Sequence, residues 1–229
     1  MDEGSGAQRP RPVADYLMES MRAAGVTEAF MVLAPGKWDI PACFGNGNTD
    51  GWNLAYLIRD LPYGVPFTLD AAFPFVGDRY VVFGFPDIIF SPVDAISRLI
   101  ARQETTGADV VLGVFQVDQP SKWDGIEFGA DGKIATIHPK PHNSTLGYTW
   151  ILAVWKPTFS LFMHRFVEDD VASRNVQDSE PGSEDVSLGI VLQAALKAGL
   201  HFEHVTLEDG YCLDIGTPED LSKALTALH

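Results

Sequence analysis

Cysteine is nearly absent from this chain of 229 residues: Cys43 and Cys212 are the only two. Neither sits in a zinc-ligand spacing or beside a histidine pattern that would make it a nucleophile. The pair fits a reducing compartment, and nothing in the composition calls for a disulfide. Long apolar runs are absent as well; none approaches the ~20 residues that a membrane-spanning helix needs. The opening MDEGSGAQRPRP has no apolar stretch of the secretory kind, so a cytoplasmic protein without membrane partners is expected. Basic residues are few, 16 Lys and Arg against 31 Asp and Glu, and the net charge of −15 repels a phosphate backbone. Nucleic acid is therefore not an expected partner, and an anionic small substrate would need local cations or a metal. No internal repeat or low-complexity tract is present.

What remains is a chain with 46% hydrophobic residues and a length within the range of one large α/β domain. A single domain over residues 1–229 is expected, with 1–10 as a flexible tail and the acidic stretch 168–185 as a mobile loop. The spacing of Leu17, Met21 and Ala24 predicts a helix over 13–24, closed by Gly25. The run Ala29 to Leu33 reads as a strand buried on both faces, and 54–58 and 80–83 read as further strands. Ser91-Pro92 reads as the cap of a helix reaching about Gln103 and closed by Gly107. A strand over 109–115, a hairpin of 126–128 with 133–137, a strand over 148–155 and a helix over 158–166 follow. A helix over 187–198, strands over 201–207 and 211–214, and a last helix from Thr217 complete the chain. Alternating strands and helices imply an α/β fold with a mostly parallel sheet flanked by helices, whose ligands bind beyond the carboxyl ends of the strands.

That rule selects Asp87, which follows a strand across Gly84-Phe85-Pro86, and Asp214, which ends another. One or two such carboxylates with substrate phosphates suffice for magnesium; either residue alone also fits a turn or a helix cap. Lys140 lies in His138-Pro139-Lys140-Pro141, where two prolines hold the backbone extended behind a point charge suited to phosphate; a solvated turn lysine fits the same pattern. Gly4-Ser5-Gly6 with Arg9 and Arg11 resembles a phosphate cradle on paper, but the strand that should precede it is not there, so a tail is the better reading. The six histidines have no metal-ligand spacing.

In order and spacing, from Arg11 onward, the chain resembles the sugar-1-phosphate nucleotidyltransferases of the glucose-1-phosphate thymidylyltransferase kind. Arg11-Pro12-Val13 resembles the family's Lys-Pro-Val before its first long helix, and Pro62-Tyr63-Gly64 the loop whose glycine meets the base. Gly84-Phe85-Pro86-Asp87 resembles the Gly-Asp metal motif, Pro139-Lys140-Pro141 the Glu-Lys-Pro motif, and Leu213-Asp214-Ile215-Gly216-Thr217-Pro218-Glu219 the closing Leu-Asp-x-Gly-Thr-Pro-Glu. The resemblance implies a Rossmann-like sheet and a magnesium-dependent joining of a nucleoside triphosphate with a sugar 1-phosphate. It implies Asp87 and Asp214 on magnesium, Lys140 with Asp87 as the catalytic pair, and Arg11, Arg59 and Gly64 on the nucleotide. A homo-oligomer is compatible with it.

Four positions depart from the family pattern. MDEGSGAQ stands where the family has a strand and a glycine-rich triphosphate cradle, Arg59 replaces the base-reading glutamine, Pro139 replaces a sugar-binding glutamate, and Ile151 replaces a glycine. Little pyrophosphorylase activity is therefore expected of the chain as it stands. The alternatives are a catalytically silent sugar-nucleotide binding or scaffold protein of the same fold, and a related glycosyltransferase, for which Phe85-Pro86-Asp87 offers only one of the two acidic residues wanted. Base and sugar stay open.

Overall fold

The computed structural model describes residues 12–47, 51–60, 63–141, 145–173 and 185–216. In chain order the elements are α1 (Ala14–Ala23), β1 (Glu28–Leu33), α2 (Asp39–Phe44), β2 (Asn53–Ile58), α3 (Val65–Asp70), α4 (Phe73–Val76), β3 (Val81–Gly84) and β4 (Ile88–Ser91). They continue with α5 (Ala95–Thr106), β5 (Val110–Gln116), β6 (Gly125–Phe128), β7 (Ile134–His138), β8 (Tyr148–Trp155), α6 (Pro157–Ser173), α7 (Leu188–Lys197), β9 (Phe202–Thr206) and β10 (Tyr211–Asp214).

The centre is a sheet of order β7-β6-β8-β5-β9, with β3 added to β8. Within it β3, β5, β6 and β9 point one way, and β8 is inserted against them between β3 and β5. Alternation along β5 explains the layering, because successive side chains leave on opposite faces. Val110, Leu112 and Val114 enter one core with Phe159, Met163 and Val191 of α6 and α7. Val111 and Phe115 enter the other with Leu17 of α1 and Ile96 and Leu99 of α5. Helices thus cover both faces, the α/β architecture that the alternating pattern implies. Gly113 carries the one register shift of β5, and a Cβ there would lie 3.0 Å from the Leu152 side chain, which is why glycine fits.

Three expectations need correction. Ser91 does not cap a helix: it is the last residue of β4, paired with Tyr211, and α5 begins at Ala95 behind Asp94. The loop expected from 168 begins later, because Phe159, Met163 and Val167 continue a buried stripe at four-residue spacing and carry α6 to Ser173. Residues 174–184, the expected tail 1–10 with Arg11, and the helix expected from Thr217 lie outside the described residues. Finally, Ala29 to Leu33 does form a strand, but none of its residues is buried. Among the described residues β1 pairs only with β2, in parallel, and β3 pairs only with β8, so no strand hydrogen bonds join the β1–β2 pair to the central sheet; β4 and β10 form a third, antiparallel pair. No described helix is long and apolar enough to cross a membrane.

Candidate functional site

Antiparallel pairing of β10 with β4 sets Asp214 opposite Ile88, the residue after Asp87. The Ile215 amide donates to the Asp87 carbonyl at 3.1 Å, which locks the two turns together. The Gly216 amide donates to Asp214 Oδ1 at 2.8 Å and fixes that carboxylate. The outcome is convergence: a Cβ placed on Gly216 would sit 3.1 Å from Asp214 Oδ1 and 3.4 Å from Asp87 Oδ2. Asp87 is exposed and Asp214 partly so, leaving this point open to solvent. Beneath it, burial and the charge of Asp214 push the Cys212 thiol up to about 12, so this cysteine stays protonated and inert. Both Cys43 and Cys212 are free.

Lys140 follows β7 with a positive φ of 30°, a conformation a lysine adopts only when something holds it. The holder is Asp124, whose Oδ1 accepts the Lys140 amide at 3.1 Å. The Asp124 carboxylate in turn lies over Gly189 in the first turn of α7, where a Cβ would come within 2.3 Å of Oδ2. Burial raises the Asp124 carboxyl above the usual carboxylate range, opposed by the Lys140 amide, the Lys140 charge and the Trp150 indole. The two acidic turns and the Lys140 turn open along one edge of β8: Gly84, ending β3, pairs with Leu152, and Gly125, opening β6, pairs with Thr149. Between those two partners stands Trp150. Its ring packs on Phe85 at 5.6 Å and Phe83 at 6.3 Å between centroids. Ile151, beside it, is sealed in the core on the α1 and α5 side.

Arg59 belongs to the β1–β2 pair, and Gly64 to the turn that enters α3. Arg59 follows β2, its amide donating to the Leu33 carbonyl at 3.0 Å, and it borders a cleft of about 190 Å³ with Val32, Leu33, Ala34, Asp60 and Thr68. Gly64 precedes α3 with φ 103°, and a Cβ there would strike the Val186 carbonyl at 2.4 Å. Close packing against residue 186 thus accounts for this glycine. Arg11 lies outside the described residues. The structure therefore brings Asp87 together with Asp214 and ties Lys140 to Asp124, while Arg59 stands at the carboxyl end of the β1–β2 pair and Gly64 packs against Val186 before α7. Asp124 and Trp150 escaped sequence reasoning, because an aspartate before a hairpin and a tryptophan in an apolar strand carry no spacing signal.

The model of the nucleotidyl transferase family matches residues 6–229. The chain belongs to this family. It is 22% identical over 216 residues to a low-salt glycan biosynthesis nucleotidyltransferase of Haloferax volcanii, covering 93% of this chain and 56% of that protein. It is 22% identical over 212 residues to a glucose-1-phosphate thymidylyltransferase of Streptomyces antibioticus, covering 92% and 56%. The chain thus spans about half the length of the curated relatives it matches. A Bacillus anthracis structure assigned as a glucose-1-phosphate thymidylyltransferase, in complex with a sucrose, shares the fold at a TM-score of 0.78 and 17% identity, over 94% of this chain and 82% of that one.

Proposed function

We propose that the chain joins a nucleoside triphosphate and a sugar 1-phosphate to give a nucleotide sugar and pyrophosphate, with magnesium held by Asp87 and Asp214. The observation that carries this reading is the convergence of the two carboxylates on one open point beside Gly216. Hard oxygen donors with no side chain between them fit magnesium, which takes one or two carboxylates and completes its shell with water and substrate phosphates. No group of three or more His, Cys, Asp or Glu gathers among the described residues, in keeping with a cation that draws ligands from its substrate. Bound there, the metal neutralises charge on the phosphates.

The remaining work falls to the chain's own residues. Lys140, pinned at its amide by Asp124, offers a fixed positive charge to the sugar phosphate. Arg59 and Gly64 take the nucleotide side. A sugar-phosphate oxygen attacks the α-phosphorus, a P–O bond forms, and the bond to the leaving pyrophosphate breaks. No protein nucleophile is required, since the rate comes from alignment and charge neutralisation. The two free cysteines fit a cytoplasmic setting, and against the net charge of −15 the anionic substrates depend on Lys140, Arg59 and the metal for local positive charge.

A second reading, a silent sugar-nucleotide binder of the same fold, is favoured by one observation: among the described residues the β1–β2 pair that bears Arg59 has no strand pairing to β3 or β4, the strands on either side of Asp87. Pyrophosphate release, assayed with the four common triphosphates and a panel of sugar 1-phosphates, separates the two. Turnover that falls by about 100-fold or more in Asp87→Asn and in Asp214→Asn supports the enzyme. Magnesium-dependent nucleotide-sugar binding without turnover supports the binder. Binding that ignores magnesium in both variants and the parent sinks the two-aspartate site.

A further inference from the structure

Two buried side-chain polar atoms among the described residues have no hydrogen-bond partner, Trp150 Nε1 and Ser187 Oγ. Both border Asp124. Trp150 is 2% exposed, it neighbours Asp124 and opposes the rise of its carboxyl, yet its indole N–H makes no hydrogen bond. Ser187 stands two residues before the Gly189 on which that carboxylate lies, and although it holds the N-cap position of α7 its hydroxyl caps nothing. A buried N–H left unpaired is costly and calls for a partner.

The chemistry of that partner is restricted. It must accept from an indole N–H and donate to a carboxylate, and a hydroxyl does both with one oxygen. A phosphate oxygen only accepts, and the carboxylate repels it. The neighbouring cation is Lys140, tied to the same carboxylate through its amide. We propose that Asp124 and Trp150 bind a ring hydroxyl of the sugar 1-phosphate, with Lys140 on its phosphate, and so select the sugar. This rests on the proposed function and adds to it the residues that recognise the sugar ring, a role that Pro139, an exposed residue with no polar side chain, does not fill.

The test is calorimetric titration of the full chain with glucose, galactose and mannose 1-phosphates, their monodeoxy analogues and inorganic phosphate. Asp124→Asn keeps an oxygen for the Lys140 amide but loses the charged acceptor, and should weaken the preferred sugar 1-phosphate about 10- to 100-fold while leaving inorganic phosphate unchanged. Trp150→Phe keeps an aromatic ring against Phe83 and Phe85 and removes the N–H together with part of the indole's volume; a loss of about 3- to 10-fold is expected. One deoxy analogue should bind the parent weakly yet bind both variants as well as the complete sugar does, a pattern that a purely structural role would not give. Should Asp124→Asn fail to fold, Trp150→Phe and the deoxy series decide alone. Parent-like affinity for the preferred sugar phosphate in the folded variants means that water fills the cluster, and overturns this inference only. A parent chain that binds no sugar 1-phosphate overturns the proposed function and this inference with it.

Discussion

β5 and β1 are both short apolar strands in parallel pairs, Val-Val-Leu-Gly-Val-Phe in one and Ala-Phe-Met-Val-Leu in the other, but their surroundings differ. Val110, Leu112, Val114 and Phe115 are fully buried between two helical layers, with a strand on either edge. Among the described residues β1 has a strand on one edge only, and the stacking of Phe30 on the half-exposed Phe75 is part of what covers it. Apolar sequence makes a strand; neighbours on both faces and both edges make it core. Leu112→Ala should therefore cost about 2–5 kcal/mol in urea melts, the loss expected when a buried side chain leaves a cavity. Met31→Ala, at a partly exposed position, should cost about 1 kcal/mol or less. Equal losses at the two positions would break the contrast.

The same contrast should appear in amide exchange. Local opening follows the density of buried contacts, so β5 and β8 amides should exchange only through global unfolding. Those of β1 and β2 should exchange faster by about 100-fold or more, through opening of the pair alone. Uniform protection across both sheets would show that β1 and β2 are held by contacts stronger than their burial suggests.

This difference also explains what was legible in the sequence. Strand and helix periodicity identified most elements, since it reflects which side of each segment meets a core. Short helices such as Asp39–Phe44 and Phe73–Val76 bury no residue and left no periodic trace. β4 was hidden because Ile88 to Ser91 directly precedes a proline and reads as a helix cap, whereas pairing with β10, more than 100 residues away, decides its state. Asp87 and Asp214 were selected by the rule for strand ends, but their convergence depends on that same long-range pairing. Asp124 needed three separate segments, those of Lys140, Trp150 and Gly189, to be in place before its role could be seen.

Polar ties sharpen the comparison at the smallest scale. At the foot of β5, Asp109 Oδ1 accepts from Thr158 Oγ1 of α6 at 2.6 Å, and Oδ2 accepts from the His201 amide before β9 at 2.9 Å. One carboxylate thereby joins three elements. The β1 side has an ion pair between Glu28 and Arg79, both about half exposed. An exposed pair gains little in water and pays side-chain entropy, so Arg79→Ala should change stability by less than about 1 kcal/mol. Asp109→Asn loses the charge and turns an amide N–H₂ towards one of two donors; with solvent reaching the site, a cost of about 1–2 kcal/mol is expected. The pH dependence follows from the sign of the shift. Burial alone would raise the Asp109 carboxyl, but the Thr158 hydroxyl, the His201 amide and the nearby Lys156 and His201 charges together hold it below the usual carboxylate range. A depressed folded pKa gives stability that is fully present above the unfolded value of about 3.9 and is lost as pH falls through the folded value. The gap between parent and Asp109→Asn in urea melts should thus be constant near neutral pH and close below about pH 4, whereas the Arg79→Ala gap should stay near zero throughout. A gap for Asp109→Asn that persists undiminished in acid would assign its effect to the misplaced amide group rather than to the lost charge.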